Sequence, residues 1–253
     1  MIKLSIVGIG AGNPDHLTLQ AIKALGSVDV VFLIDKGDDK DALAKLRRDI
    51  CARHAKPTHR IVEAADPARD RAPVCYEAAV KSWHAERAAL YERMLRQELA
   101  DGEHGAFLVW GDPCLYDGTL RIVDEVVAMK TVAFELEVIP GITSVQALAA
   151  AHRIALNRIG GAVQITTGRR LSRGLPDDAK DVVVMLDGEA AFKAVSERDV
   201  DIYWGAYVGT PDEILVSGPL SERAGEIARL RDDARRRHGW IMDAYLLRRG
   251  ARS

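Results

Sequence analysis

The first half of the chain alternates short apolar runs with longer amphipathic segments. The runs "KLSIVGI", "VVFLID" and "GAFLVWGDP" have the length of buried strands, and "THRIVEAADP" holds a shorter one. Between them, apolar residues recur at three- and four-residue spacing, which predicts helices. The resulting β-α-β-α-β-α-β order predicts an open parallel sheet with right-handed crossovers and helices on both faces. The predicted helices are "TLQAIKALGSVD", "DDKDALAKLRRDICARHA" and "CYEAAVKSWHAERAALYERMLRQELADG".

Strands become more frequent in the second half. "FELEVIPGI" alternates apolar and polar residues, "TSVQALAAAHR" predicts a helix after it, and one more helix is predicted between "LDGEAAFKAVSE" and the next strand. Frequent strands favour a mixed sheet. The predicted fold class is therefore α/β with two α/β domains, a parallel one over residues 1–127 and a mixed one over residues 128–253. The other predicted strands are "AVQITTG", "DVVVMLDG", "DIYWGAYVGTPDEILVSGPL" and "GWIMDAYLLRR".

Composition and charge exclude several classes of function. The 35 Lys and Arg residues nearly balance the 37 Asp and Glu residues, which is unlike a nucleic-acid-binding protein. Apolar runs stay below the roughly 18 residues that a membrane span needs, and the N-terminus has no signal-peptide pattern. Cys51, Cys75 and Cys114 are too widely spaced for a disulfide framework or a zinc site. We expect a cytoplasmic protein without a metal and without a membrane or nucleic-acid partner.

A glycine-rich turn follows the first strand in "VGIGAGNPDHL". Glycines let a backbone turn sharply and approach a ligand closely. A dinucleotide-binding fingerprint would need a third glycine where Asn13 stands, although Asp35 at the end of the second strand could bind the ribose. Pro14 suits the first turn of the following helix. The turn alone is compatible with a nicotinamide-dependent oxidoreductase and with a plain tight turn. Its glycines are Gly8, Gly10 and Gly12.

A second loop, "VWGDPCLYDGT", follows the fourth strand. Ligands of open α/β sheets bind at the carboxyl ends of strands, which is where this loop lies. Gly111 and Pro113 interrupt regular structure, and Asp112 could cap the next turn or bind a ligand. Tyr116 and Asp117 add polar side chains, although the segment could also be a simple turn.

A third loop, "VIPGITSVQA", again follows a strand. Pro140 and Gly141 form a turn, and Thr143 or Ser144 can cap the next helix, which alone would explain both hydroxyls. Three such loops, each after a strand, indicate that backbone groups recognise a polar cofactor.

Five segments in order, covering nearly the whole chain, resemble the tetrapyrrole methylases, the class III S-adenosylmethionine-dependent methyltransferases of corrin and sirohaem synthesis. Other segments, including "LIDKG", "HRIALNRIG" and the ending "GWIMDAYLLRR", narrow the resemblance to the member that methylates precorrin-5 at C-1 and releases acetate. Another precorrin or uroporphyrinogen methylase is the alternative within the family. The five segments are "GIGAGNPDHLTLQAIKAL", "GDPCLYD", "PGITSVQALAA", "ITTGRR" and "GTPDEILVSGPL".

The resemblance implies a fold of two α/β domains with the cofactor in the cleft between them, and a homodimer. S-adenosylmethionine carries an electrophilic methyl group, leaves as S-adenosylhomocysteine and requires no metal. By position in the family's segments, the residues implied to contact the cofactor are Gly111, Asp112, Pro113, Tyr116, Thr143, Ser144, Leu186, Ala206 and Gly209.

The resemblance also places a tetrapyrrole beside the opening glycines. Its carboxylates need cations, and arginine binds carboxylates with two parallel hydrogen bonds. The residues implied to bind it are Gly8, Gly10, Gly12, Pro14, Arg153, Arg169 and Arg170, with Arg158 and Lys36 as further cations. Acetate release needs an activated water. The candidates for that step are Asp35, Tyr116 and Asp117, with His16 beside them.

Overall fold

The computed structural model describes residues 1–35, 41–68, 75–197 and 199–250. The chain forms two compact units, the first made of Met1–Gly10 with Pro14–Ile142 and the second of Ala11–Asn13 with Thr143–Ser253. One unit contains a parallel sheet and the other a mixed sheet. The predicted class of two α/β domains is therefore confirmed.

The first unit is built on a parallel sheet of order β3-β2-β4-β1-β5. Because the strands are parallel, their carboxyl ends share one edge of the sheet. Successive side chains of β1 and β4 enter apolar clusters on opposite faces, as strand geometry requires. The strands are β1 (Ile2–Gly8), β2 (Val30–Asp35), β3 (Arg60–Ala65), β4 (His104–Val109) and β5 (Phe134–Ile139). The helices are α1 (Leu19–Leu25), α2 (Asp41–His54), α3 (Tyr76–Glu98) and α4 (Thr119–Met129), with a 3-10 helix at Pro14–His16.

Strand β5 does not fall where the sequence placed it. The expected boundary after residue 127 assigned this strand to the second domain, but it pairs in parallel with β1, with Ile2 opposite Phe134 and Val7 opposite Ile139. Its alternating pattern arises because β5 is an edge strand whose side chains are partly exposed. Alternation here reflects an edge position rather than an antiparallel sheet.

The second unit contains a mixed sheet of order β6-β7-β10-β8-β9. Strands β6 and β7 are parallel, while β10 runs antiparallel to both β7 and β8, and β9 antiparallel to β8. The elements are α5 (Ser144–His152), β6 (Val163–Thr167), α6 (Gly168–Leu171), β7 (Asp181–Met185), a 3-10 helix at Ala191–Ala194, β8 (Val200–Ala206), β9 (Ile214–Pro219), α7 (Leu220–His238) and β10 (Asp243–Arg249).

The sequence pattern did not predict helix α7. It has 19 residues, yet its buried positions are Leu220, Ile227, Arg231 and Ala234, so an arginine occupies the place where periodicity requires an apolar side chain. The helix predicted between "LDGEAAFKAVSE" and the next strand is misplaced, because the helical turn is a 3-10 helix at Ala191–Ala194, inside that segment. Of the helices in the described ranges, none is long and apolar enough to cross a membrane.

Candidate functional site

The first unit brings the three predicted loops to one edge of its sheet. Strand β1 lies between β4 and β5, and each of the three is followed by a glycine-containing loop. The loops after β1 and β4 are joined by a bridge in which Gly111 N donates to Gly10 O at 2.8 Å and Gly10 N donates to Gly111 O at 3.2 Å. The loops after these three strands therefore meet within this unit, although the expected boundary after residue 127 placed the third of them in the second domain.

Gly8 and Gly141 are required because these loops touch through their backbones. A Cβ built on Gly8 would lie 2.6 Å from Gly141 N and 2.9 Å from Gly111 O. A Cβ on Gly141 would collide with Gly111 O and lie 2.8 Å from the carbonyl carbon of Gly8. A Cβ atom does not approach other heavy atoms this closely, so both positions exclude any larger residue unless the backbone moves.

Gly10 has a different requirement. Its φ of +80° is strained for other residues, and an added Cβ would lie 2.6 Å from Cβ of His16. The space beside Gly8 and Gly10 is thus filled by neighbouring protein atoms. The predicted contact of Gly8, Gly10, Gly12 and Pro14 with a substrate stays a prediction; Gly12 is buried and Pro14 half-buried at the start of the 3-10 helix.

Asp112 ties two of the loops together. Its Oδ2 accepts a hydrogen bond from Gly141 N at 2.9 Å, and its Oδ1 accepts one from Cys114 N at 2.7 Å. Gly111 before it has a φ of +69°, and Pro113 after it is buried. The carboxylate therefore holds the shape of the loop as well as the spacing between the loops after β4 and β5.

Tyr116 and Asp117 end the same loop in different environments. Tyr116 is 45% exposed and has a φ of +53°, an uncommon conformation for a bulky residue. Asp117 is half-buried, and its Oδ1 accepts a hydrogen bond from Thr119 N at 2.7 Å at the start of α4. The two predicted catalytic side chains are thus one exposed ring and one carboxylate that orders a helix start.

Asp117 also lines a small polar pocket that the sequence reading missed. Arg87 in this pocket is buried, pairs with Asp66 at 2.9 Å and donates to the hydroxyl of Tyr91 at 3.0 Å. Arg47 donates from Nε to the carbonyl of Leu108 at 3.0 Å, and burial lowers its pKa. Burial also raises the pKa of Tyr91 to about 12. The i, i+4 spacing of Arg87 and Tyr91 on a helix was the available signal.

Asp35 is the last residue of β2, where it pairs with Ala65. Its side chain and the whole of Lys36 lie outside the described residues. Their predicted roles therefore stay predictions.

The second unit forms its own edge from three neighbouring strands. Met185 pairs with Ala244, and Ala206 pairs with Asp243, so the carboxyl ends of β7 and β8 flank the start of β10. Leu186 and Ala206 are thereby brought to one edge, as residues contacting a common ligand would need to be. Gly209 follows with a φ of +83°, and its N–H donates to Glu213 at 2.8 Å.

Two bulky residues at this edge have left-handed backbones. Leu186 has a φ of +52° and is 64% exposed, and Tyr207 has a φ of +50° but is buried. The hydroxyl of Tyr207 donates to Trp240 O at 2.6 Å, and its N–H donates to Met242 O at 2.9 Å. Strained residues of this kind cluster at ligand sites, and Tyr207 was not among the predicted ones.

Thr143 is the N-cap of α5, which confirms the capping interpretation. Gln146 N donates to Thr143 Oγ1 at 3.3 Å, and Thr143 N donates to Gln146 Oε1 at 2.8 Å. Ser144 is the first residue of the helix. Neither contact tests the predicted role at a cofactor, which stays a prediction.

The predicted arginines occupy three different settings in the second unit. Arg169 and Leu186 line one open cavity of about 560 Å³ beside α6, while Arg170 is exposed on α6. Arg153 is exposed at the C-terminus of α5. Arg158 lies 3.5 Å from Asp181 and donates to Arg249 O, which gives it a structural role.

Comparisons with known proteins agree with this geometry. Residues 3–224 match the family of tetrapyrrole (corrin/porphyrin) methylases. A precorrin-6A synthase (deacetylating) from Sinorhizobium sp is 54% identical over 252 residues, covering 99% of this chain and 97% of that protein. The crystal structure of a cobalamin synthesis related protein, CobF, from Corynebacterium diphtheriae has a TM-score of 0.86 at 41% identity and covers 98% of this chain and 99% of that chain.

A more distant structure shares the fold. The uroporphyrin-III C-methyl transferase from Thermus thermophilus, solved with S-adenosylhomocysteine, has a TM-score of 0.59 at 19% identity and covers 97% of this chain and 91% of that chain. The family match spans most of the chain, and the Sinorhizobium relative matches over nearly its whole length. This chain belongs to the tetrapyrrole methylases.

Proposed function

We propose that this chain methylates precorrin-5 at C-1, using S-adenosylmethionine, and releases acetate to give precorrin-6A. The observation that carries the proposal is the 54% identity to a precorrin-6A synthase (deacetylating) over 99% of the chain. S-adenosylmethionine, when bound, supplies an electrophilic methyl group to a nucleophilic carbon of the macrocycle. The match of residues 3–224 to a methylase family favours methyl transfer over the alternative of a nicotinamide-dependent oxidoreductase.

The described residues fit a nucleoside ligand of this kind. Tyr116, in the loop after β4, and Leu186, directly after β7, have exposed side chains and backbone conformations that only their surroundings can hold. The indole N–H of Trp110, next to Gly111, is buried and has no hydrogen-bond partner among the described residues. The nine residues that we propose for cofactor contact are Gly111, Asp112, Pro113, Tyr116, Thr143, Ser144, Leu186, Ala206 and Gly209.

The main catalytic task of the protein is positioning. Holding two reactants in an aligned geometry can lower a barrier by about 7–11 kcal/mol. The Gly10–Gly111 bridge and the bonds of Asp112 fix the loop backbone through contacts within the protein. The loops are therefore ordered by the fold itself, which limits the ordering cost of binding.

Cations of the second unit are proposed to receive the carboxylates of the macrocycle. Arg153, Arg169 and Arg170 are exposed, and Arg169 shares a cavity lining with Leu186. These exposed cations support a tetrapyrrole substrate that carries several acidic side chains.

Release of acetate is proposed to use groups at the end of β2 and in the loop after β4. Hydrolysis of an acyl group needs a base for the attacking water and a donor for the developing oxyanion. We propose Asp117 or Asp35 as the base and the hydroxyl of Tyr116 as the donor. Asp117 is held by Thr119 N and shares its pocket with Arg47 and Arg87.

A mass spectrum of the product with an acetate assay in the same tube tests the function. With S-adenosylmethionine and precorrin-5, we expect one added methyl group and one acetate released per macrocycle. A methylated product without acetate would move the enzyme to another step of corrin synthesis. Unconsumed S-adenosylmethionine, with precorrin-5 and with other precorrins, would contradict the proposal.

Asp112→Ala is expected to weaken binding of S-adenosylhomocysteine by about tenfold to a hundredfold. The substitution leaves Gly141 N and Cys114 N without their acceptor, at a cost of about 1–3 kcal/mol, and loosens the loop. Isothermal titration calorimetry measures the change. Asp124→Ala, an exposed carboxylate of α4, is the control, and equal affinities for the two variants would contradict a role for this loop.

Arg169→Ala with Arg170→Ala is expected to raise KM for the macrocycle and to leave the affinity for S-adenosylhomocysteine within about twofold. Removal of uniform substrate binding raises KM at unchanged kcat. Steady-state kinetics with both substrates varied separates the two effects. Loss of S-adenosylhomocysteine binding would instead assign these arginines to the cofactor.

We propose that the protein is a cytoplasmic homodimer, as the family resemblance implies. Light scattering coupled to size exclusion measures the mass of the assembly, and the monomer mass of 27.7 kDa would contradict the proposal.

A further inference from the structure

Three charged side chains lie buried beneath the edge of the second unit. The side chains of Asp187, Arg231 and Asp243 are 2%, 4% and 3% exposed. Nη1 of Arg231 lies 3.4 Å from Oδ2 of Asp243 and 3.9 Å from Oδ2 of Asp187. We call these three residues the buried charge cluster.

The cluster is joined to the turn that follows β7. Nη2 of Arg231 donates to the backbone carbonyl of Asp187 at 2.6 Å. Oδ2 of Asp187 accepts from Ala191 N at 2.7 Å and from the hydroxyl of Tyr245 at 2.6 Å, and its Oδ1 accepts from Glu189 N at 3.1 Å. The turn is therefore held through both its backbone and its side chain.

The cluster also makes a hydrogen bond with the sheet of the second unit. Trp204 Nε1 on β8 donates to Oδ2 of Asp243 on β10 at 2.8 Å, and Trp204 and Tyr245 are fully buried. On the other side, a Cβ on Gly168 would lie 2.5 Å from Oδ1 of Asp187, so the backbone of α6 closes directly over this carboxylate. The position of Asp187 is determined by β8, β10, α6 and α7 together.

These contacts hold the turn that carries Leu186, a residue with an exposed side chain and a strained backbone. Leu186 precedes Asp187, has a φ of +52° and is 64% exposed. A bulky residue keeps this conformation only when its surroundings over-determine it, and such residues concentrate at ligand sites. A well-packed apolar cluster would stabilise the fold as well as buried charges do. Stability of the fold alone therefore does not explain why three charged side chains are buried here.

We infer that Asp187, Arg231 and Asp243 are positioning residues that hold the turn of Leu186 in the conformation that receives S-adenosylmethionine. The inference rests on the proposed function, because it takes that cofactor as the ligand of this edge. The three side chains act through the turn, and Leu186 presents the contact.

The test removes two of the three charges, one of each sign, while keeping the packing. Arg231→Met with Asp243→Asn eliminates one cation and one anion together, and the amide oxygen of the new side chain still accepts from Trp204. Asp187 retains its three other donors. The matched control is Arg236→Met with Asp233→Asn, which removes a more exposed pair on the same helix.

Thermal unfolding and calorimetry with S-adenosylhomocysteine are measured on each protein. We expect the double variant to remain folded at the assay temperature and to bind about tenfold more weakly, because a turn that is competent a tenth of the time raises Kd tenfold. At saturating S-adenosylmethionine its kcat should return to the wild-type value, which a general loss of structure would prevent. The control should bind as the wild type does.

Unchanged affinity in a folded double variant would overturn the inference while leaving the proposed function intact. Absence of binding by the wild-type protein would overturn the proposed function itself, and the inference with it. If the double variant does not fold, Arg231→Lys decides in the same way. It keeps the charge but cannot span both the carbonyl of Asp187 and the carboxylate of Asp243, so we expect weaker binding in a protein that remains folded at the assay temperature.

Discussion

Arg231→Met alone is expected to lower the free energy of unfolding by about 3–5 kcal/mol, because removing one partner of a buried ion pair leaves uncompensated charge. Two carboxylates, Asp187 and Asp243, would lose the cation beside them, and the carbonyl of Asp187 would lose its donor. Urea unfolding followed by circular dichroism measures the loss. Adding Asp243→Asn should recover most of it.

The control for this prediction lies on the same helix. Arg236→Met removes an arginine that is 71% exposed and pairs only with Asp233 among the described residues. Exposed pairs contribute about 0–1 kcal/mol, so the control should unfold close to the wild type. Equal losses in Arg231→Met and Arg236→Met would contradict a buried charge cluster.

The loss should depend on pH. Burial raises the pKa of Asp243 from 3.8 to about 6, although Arg231, Arg235 and the Trp204 bond favour its charged form and Asp187 disfavours it. Because the folded-state pKa lies above the unfolded one, the stabilising contribution of this carboxyl is complete below pH 3.8 and is lost as the pH rises through 6. Without Arg231 the charged form is less favourable still. The destabilisation should therefore be greatest above pH 6 and shrink towards pH 4.

The centre of the first sheet could be predicted from the sequence because β1, β2 and β4 are nearly continuous apolar runs separated by periodic helices. The edge strand β5 was placed in the wrong unit, since a half-exposed parallel strand alternates just as an antiparallel one does. Helix α7 was missed because Arg231 breaks its apolar stripe. Both errors occur where burial is set by partners far away in the sequence.

In the candidate site, too, features set by local residues could be predicted, and features set by distant partners could not. The loops after β1, β4 and β5 could be predicted from their Gly and Pro residues, because the backbone requirements of these residues are local. The left-handed Tyr207 carries no such signal, because its conformation comes from bonds to Trp240 and Met242. Arg231 likewise could not be recognised as a buried charge, since its partner Asp243 lies in another element.

Gly141→Ala is expected to reduce both S-adenosylhomocysteine affinity and the methylation rate by about a hundredfold or more, since a misplacement of about 1 Å can cost that much. The added methyl would collide with Gly111 O and crowd the carbonyl carbon of Gly8, and neither backbone can move alone. Overpacking of this kind also costs about 1–3 kcal/mol of stability. Calorimetry and single-turnover kinetics measure the two losses.

Gly118→Ala is the matched control, because it adds the same methyl in the loop that contains Asp112. A Cβ there would meet none of the described atoms within 4 Å, and a φ of −96° suits any residue. Binding and rate should stay near the wild-type values. If Gly141→Ala also bound normally, the backbone contacts among the three loops would be unnecessary for the site. A large loss at Gly141 and none at Gly118 would show that the close approach of these loops, rather than the glycine content of the segment, is what the cofactor requires.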